Sequence, residues 1–191
     1  MALKSGNLNT LLQAHSYLRG NQKVLAALLK QMLEALDYLA YRRLCHRDVK
    51  PDNILYTVLD ESEYLFQLAD FGLATHQALA ETRSGTPIFE APEMHYHTHP
   101  QTPKLDVWSL FVTMLSATRS ARFDEDSFSS YDQVLGVVKK AAAAELRALS
   151  AMAREDPTLR ASAAQCLVDL FGGDGLTTPR WQIKRDQDRK T

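Results

Sequence analysis

The stretch Cys45-His46-Arg47-Asp48-Val49-Lys50-Pro51-Asp52-Asn53-Ile54-Leu55 constrains this chain more than any other. An acid, a cation and an amide stand at fixed offsets and run straight into an apolar, strand-like segment. An ordinary core has little use for polar groups packed this closely, because each must be desolvated and then hydrogen-bonded. The same groups suit a site that handles a hydroxyl nucleophile and a metal-bound phosphate. A carboxylate can take a proton, an ammonium can meet a phosphoryl oxygen, and an amide oxygen is a hard ligand for a divalent cation.

The rest of the chain reads as one mainly α domain around that stretch. Lys4-Ser5-Gly6-Asn7 is a turn signal, and Leu8, Leu11 and Leu12 predict a short helix that stops near Gly20. Val24, Leu25, Leu28, Leu29, Met32, Leu33, Leu36 and Leu39 then recur at helical spacing. They predict a long amphipathic helix from Asn21 to about Arg42-Arg43, a wall of the core rather than a partner-binding zipper. Residues 54–59 and 64–68 read as two strands joined by a polar turn, a hairpin. Residues 73–90 lack periodicity and read as a mobile loop, and residues 94–103 as a His- and Pro-rich connection. In that connection His95, His97 and His99 are expected to be polar linker rather than metal ligands. Residues 104–117 are apolar nearly all round, which predicts a helix at the middle of the core. After a polar loop, three helices are expected over 131–139, 141–153 and 158–171, with Asp156-Pro157 opening the last. Residues 172–191 form a charged tail, expected to be disordered or loosely docked, its basic end solvated.

Composition narrows the functional class. With 45% hydrophobic residues, 24% charged residues and a net charge of -1, the chain reads as an ordinary globular protein with no basic surplus for nucleic acid. No run approaches the ~18 apolar residues of a membrane span, and the first residues lack the pattern of a secretion signal. Cys45 and Cys166 stand far apart without a pairing framework, which fits a reducing compartment. The expectation is a cytoplasmic or nuclear protein that binds neither nucleic acid nor membrane.

From residue 1 to 171 the chain resembles the large, C-terminal lobe of a eukaryotic-type Ser/Thr protein kinase. His46-Arg47-Asp48-Val49-Lys50-Pro51-Asp52-Asn53 is similar to that family's catalytic loop. Asp70-Phe71-Gly72 and Ala91-Pro92-Glu93 follow in the family's order and at roughly its spacing. The resemblance implies a helical bundle with a short β-hairpin next to the catalytic loop. It implies that Asp48 accepts the proton of a protein Ser/Thr hydroxyl, that Lys50 touches the transferring phosphate, and that Asn53 and Asp70 hold Mg²⁺. Leu8 and Leu55 resemble residues lying beneath the adenine of ATP. Asp106 is similar to a buried acid that ties the central helix to the catalytic loop, and Glu93 and Arg160 to an internal ion pair. Thr86 resembles a threonine that contacts Asp48 and Lys50. Thr82 stands where family members are phosphorylated, with Arg47 as the phosphate's partner.

Several positions depart from the family pattern. Phe111 replaces a small glycine, Thr113 and Ala117 replace larger apolar residues beneath the base, and Asn7 stands where an acid often meets the ribose. Glu90 replaces an apolar residue of the substrate pocket, which predicts a preference for a basic residue just after the phosphorylated one. The sequence holds neither a Gly-rich loop nor a phosphate-holding strand lysine, so the family's small lobe is expected to be missing, either because the chain is a fragment of a longer kinase or because the gene encodes one lobe. The chain is therefore expected to use ATP and Mg²⁺ as part of a complete kinase, and to bind neither firmly alone. It is expected to meet a protein substrate or regulator, and to recruit the missing small lobe or a second copy through its exposed apolar top. The alternative is a kinase-derived binding or scaffold module without phosphotransfer.

Overall fold

The computed structural model describes residues 4–60, 63–76, 87–118 and 128–183. In chain order its elements are β1 (Gly6–Asn7), α1 (Leu8–Ala14), α2 (Gln22–Tyr41), β2 (Leu44–Cys45), β3 (Ile54–Asp60), β4 (Glu63–Leu68), β5 (Thr75–His76), α3 (Pro92–Tyr96), α4 (Lys104–Thr118), α5 (Tyr131–Ala143) and α6 (Ala163–Phe171). None of the described helices is long and apolar enough to cross a membrane.

Asn21 starts α2 by accepting the backbone N–H groups of Lys23 and Val24 at 3.1 and 3.2 Å, which satisfies donors that the first turn cannot. One face of the helix, from Val24 through Leu39, is buried as its periodicity predicts. That face also closes a sheet edge. Gln31 accepts the N–H of Phe66 at 2.6 Å and donates to the carbonyl of Tyr64 at 3.2 Å, so β4 is not left as an open template for pairing. Helix α4 is buried at nearly every position from Leu105 to Ala117 and is the axis of the core.

The hairpin is present with Ile54 opposite Leu68 and Tyr56 opposite Phe66, and it gains a third strand. β1 pairs antiparallel with β3, Gly6 opposite Tyr56 and Asn7 opposite Leu55. Part of the segment expected as loop is strand as well, since β5 sets Thr75 opposite Cys45 and His76 opposite Leu44 of β2. This small sheet fastens the chain leaving Asp70-Phe71-Gly72 to the chain entering the catalytic loop. Residues 77–86 of that expected loop lie outside the described residues.

Helix limits differ from the sequence reading at five places. Helix α1 stops at Ala14 and is followed by a 3-10 turn at Ser16–Leu18 instead of running to near Gly20. The His- and Pro-rich connection begins as helix α3, which ends where His97 turns into the left-handed region at φ 53°. Helix α5 runs on to Ala143. The helix expected over 141–153 is instead a 3-10 segment, Arg147–Ala153, which carries Leu149 and Met152 into the core. The last helix starts at Ala163, not near Pro157, because Ser162 and Gln165 form a reciprocal capping box there. Residues 154–160 are used to wrap the Arg160 side chain, a task a helix could not perform.

The tail is docked as far as Ile183. Asp37, 1% exposed on α2, accepts the N–H groups of Thr177 and Thr178 at 2.8 and 2.9 Å and the Thr178 hydroxyl at 2.5 Å. Residues 184–191 lie outside the described residues.

Candidate active site

The catalytic-loop stretch is held from below by one helix. On α4, Asp106, Ser109 and Thr113 form a buried polar stripe on an otherwise apolar element. The two carboxylate oxygens of Asp106 accept the backbone N–H groups of His46 and Arg47, each at 2.8 Å. The Ser109 hydroxyl donates to the carbonyl of Phe89 at 2.7 Å, and the Thr113 hydroxyl to that of Ser109 at 2.9 Å while lying 3.5 Å from that of Val49. The spacing i, i+3, i+7 puts all three on one face. Thr113, expected beneath a nucleotide base, is 0% exposed and belongs to this scaffold. Ser109 was not legible as a site residue, although a polar stripe on an all-round apolar helix is the signal that marks it.

Above Asp106 the loop bends sharply. Arg47 adopts φ 72°, a left-handed conformation that is costly for a side chain of this size. The paired N–H groups at 46 and 47 explain how it is held. Burial pushes the Asp106 carboxyl up to about 7 in spite of those two bonds. Burial, with Asp106 adding to it, also pushes the Cys45 thiol up to about 12, so that thiol is an inert core group.

His46 is a core histidine, 0% exposed. Its Nε2 lies 3.0 Å from the carbonyl of Ala69, which can only accept, so Nε2 carries the proton. Nδ1 then faces the N–H of Asp48 at 3.4 Å as an acceptor. Both contacts fit the neutral ring, and burial lowers its pKa accordingly. Its ring also meets Phe71 edge to face, centroids 4.9 Å apart.

These groups give a sign to the pH dependence. An acid whose native pKa is raised carries a penalty that is absent below about pH 4 and full above about pH 7. His46, lowered, carries the opposite penalty, which grows as the pH falls through about 6.5. Comparing the chain with Asp106→Asn cancels the histidine. The variant is expected to gain on the parent in unfolding free energy as urea titrations move from pH 5 to pH 8. A difference that stays flat would mean that Asp106 is ionised throughout.

Three of the predicted catalytic side chains converge. The Asn53 amide donates to the Asp48 carbonyl at 2.8 Å and to Asp48 Oδ2 at 2.7 Å. Lys50 Nζ lies 3.0 Å from the same carboxylate oxygen. With its amide nitrogen committed, Asn53 keeps Oδ1 as its ligating atom. Asp70 joins through the backbone, since the N–H of Ala69 donates to the Asn53 carbonyl at 2.8 Å. Asp70 sits at φ 60° and its Oδ1 accepts the N–H of Gly72 at 3.2 Å. A Cβ at residue 72 would stand 3.1 Å from that oxygen, which is the reason for glycine there. The donor set suits Mg²⁺, which takes one or two protein oxygens and completes its shell with phosphate and water. Among the described residues no group of three or more His, Cys, Asp or Glu side chains could hold a metal, and His95, His97 and His99 are no exception.

Other predicted positions fall differently. Leu55 is partly buried, but Leu8 is 1% exposed. As the first residue of α1 it belongs to the buried core cluster. Asn7 is occupied as the cap of α1, accepting the N–H of Thr10 at 2.9 Å. Asn9 reaches across to Asp52 at 3.0 Å and ties α1 to the catalytic loop, a contact the sequence did not announce. Glu93 and Arg160 form a bidentate pair at 2.6 and 2.8 Å with neither side chain exposed. Glu90 turns inward, its side chain 2% exposed, and does not present a carboxylate to a substrate as expected. Thr82 and Thr86 lie outside the described residues, and Arg47 is 7% exposed.

Comparison with known proteins agrees with this geometry. The family model described as protein kinase domain matches residues 2–171. The chain is 32% identical to sperm motility kinase 3A of Mus musculus over 158 residues, 78% of this chain and 31% of that protein. It is 42% identical to the serine/threonine-protein kinase chk-2 of Caenorhabditis elegans over 83 residues, 42% of this chain and 17% of that protein. To calcium/calmodulin-dependent protein kinase type 1 of Macrobrachium nipponense it is 34% identical over 118 residues, 60% of this chain and 34% of the relative. The matched part of each relative is thus about a third of its length or less.

Proposed function

As the chain belongs to the protein kinase family, we propose that it is the catalytic C-lobe of a Ser/Thr protein kinase, transferring the γ-phosphoryl group of ATP to a protein hydroxyl. The observation that carries this is the unit Asp48–Lys50–Asn53, bonded within itself and clamped from below by Asp106. Asp48 accepts the proton of the attacking Ser or Thr as the new oxygen–phosphorus bond forms and the γ-phosphorus leaves the bridging oxygen of ADP. Lys50, beside Asp48, offers its ammonium to the transferring group. Asn53 Oδ1 and the Asp70 carboxylate would hold Mg²⁺, which would supply charge neutralisation on the phosphates. Arg47 is the partner for a phosphate at Thr82.

The test is phosphotransfer to a protein substrate by the chain joined to a kinase small lobe. Asp48→Asn is expected to lower turnover by at least ~100-fold, the scale of general-base loss, while leaving the melting temperature in place. Equal turnover in parent and variant would overturn the assignment. A second reading, a binding module without chemistry, is favoured by one feature. Phe71 is 52% and Leu73 40% exposed beside the site, and apolar patches of this kind mark surfaces that other proteins cover. Partner capture that survives Asp48→Asn, with no turnover in either form, would select that reading.

A further inference from the structure

The segment after α6 is turned by glycine and clasped by one carboxylate. Gly173 and Gly175 stand in the left-handed region at φ 80° and 79°, where the chain reverses without strain. It then lies along α2. Lys30 meets Asp174 at 2.5 Å, and Leu176 packs partly buried against the core. Asp37 accepts the N–H groups of Thr177 and Thr178, and the Thr178 hydroxyl closes the clasp by donating to Asp37 Oδ1 at 2.5 Å.

Thr178 has two features that a clasp alone does not need. The next residue is Pro179, at φ -57° and ψ 136°. Proline offers no N–H and favours an extended residue before it. The pair therefore suits an enzyme groove that takes the chain extended and asks no hydrogen bond of the residue after the hydroxyl, which is the chemistry of proline-directed phosphotransfer. The second feature is the acceptor. Asp37 is 1% exposed, so a charge placed on the Thr178 oxygen would face a like charge with little water between them.

Helix α2 offers such a charge no ready partner. Lys30 is seven residues from Asp37, about 10.5 Å along the axis. It already lies between Asp174 and Glu34, at 2.5 and 3.7 Å.

We propose that Thr178 is a phosphorylation site, modified by a proline-directed Ser/Thr kinase, and that its phosphate releases residues 174–183 from α2. The modifying enzyme is a separate kinase, so the site is independent of phosphotransfer by this chain. The γ-phosphoryl group of ATP passes to Thr178 Oγ. The Oγ–phosphorus bond forms, the bond to the bridging oxygen of ADP breaks, and the hydroxyl proton leaves to the modifying enzyme's base. In the docked segment the N–H and hydroxyl of Thr178 are both committed, so the enzyme meets only the undocked fraction. Once phosphorylated, Thr178 has lost its donor to Asp37 and carries a charge of about -1.5 to -2. Docking and modification thus exclude each other. Release also removes Thr178, Gln182 and Ile183 from the wall of a cavity of about 850 Å³ that Asp37 and Tyr41 line from α2.

The experiment incubates the full 191-residue chain with a purified proline-directed Ser/Thr kinase, ATP and Mg²⁺. Running Asp48→Asn beside the parent excludes modification by the chain itself. Mass spectrometry should place the phosphate on Thr178 rather than Thr177 in both. Amide hydrogen exchange over residues 174–183 should then quicken by about tenfold or more, because bonds to a charged acceptor are lost. Asp37→Ala should accept phosphate about tenfold faster or more than the parent, as its undocked fraction grows. Asp37→Asn keeps an acceptor and removes the charge, so phosphate there should quicken exchange by no more than about threefold. Thr178→Ser should behave as the parent does, and Thr178→Val should take no phosphate. Should Asp37→Ala fail to fold, parent against Asp37→Asn decides alone. The proposal is overturned by a parent without phosphate on Thr178 or by equal release in Asp37→Asn. Exchange that phosphate leaves unchanged, or slows through capture by Arg43 of the same cavity, would overturn it too.

Discussion

Arg160→Ala is expected to destabilise the chain by about 3–5 kcal/mol. All five N–H donors of the guanidinium are used. Two meet the Glu93 carboxylate at 2.6 and 2.8 Å, and the others meet the carbonyls of Arg154, Lys104 and Glu155 at 2.8, 3.0 and 3.1 Å. The group also lies 5.2 Å above the ring of Trp108, itself 0% exposed. Alanine would strand a buried carboxylate and remove the donors of three carbonyls at once. For a chain of this size the loss corresponds to a fall in melting temperature of about 6–20 °C.

The pattern of variants separates charge from hydrogen bonding. Arg160→Lys should recover little, because a point ammonium cannot span both Glu93 oxygens and three carbonyls. Buried ion pairs can often be exchanged for apolar pairs at no loss. Here Glu93→Met combined with Arg160→Met should stay clearly destabilised, since the carbonyls of residues 104, 154 and 155 still lose their partner. Thermal and urea unfolding of the three variants decide the matter. A melting temperature unchanged in Arg160→Ala would show that the pair contributes nothing to the native state.

The Arg160 cluster also marks how far the sequence could be read. Helices α2 and α4 follow from local periodicity, because each buries a continuous stripe or its whole circumference. The Asp48, Lys50 and Asn53 group is compact in sequence, so its convergence needs only one tight loop. What escaped the reading depends on contacts between distant segments. β1 is two residues long and exists only through Tyr56 and Leu55, about fifty positions away. Residues 154–160 have a plausible helical start at Asp156-Pro157, but their carbonyls are claimed by Arg160. Glu90 looked like a substrate contact because its type was legible and its direction was not. Direction is set by Tyr131 and His95, from α5 and α3. Leu8 is 1% exposed, a depth that helical spacing does not give, since the spacing marks a buried face without saying how deep it lies.

The 191-residue chain alone is expected to fold yet to transfer phosphoryl groups at least ~1,000-fold more slowly than the same chain joined to a kinase small lobe. Folding is self-sufficient because α2, α4, α5 and α6 share one buried cluster. Catalysis is another matter, because phosphoryl transfer is mainly positioning and charge neutralisation. On the proposed reading Asn53 and Asp70 would hold Mg²⁺, while the Lys50 ammonium already lies 3.0 Å from Asp48. Its eight glycines include no Gly-x-Gly-x-x-Gly run to cover the phosphates. Losing one preorganised charge partner in a catalytic site costs about 10²–10³ in rate, and a joined small lobe would bring both a lysine and a row of backbone donors. Of the two residues expected beneath adenine, Leu8 is 1% exposed, so the chain alone offers the base little apolar contact there. Calorimetry with ATP and Mg²⁺ should therefore give at most weak binding, and sedimentation should detect association through the surface around Phe71 and Leu73. Micromolar nucleotide affinity in the lone chain, with turnover that Asp48→Asn abolishes, would overturn the expectation, and a strict monomer would remove its association clause.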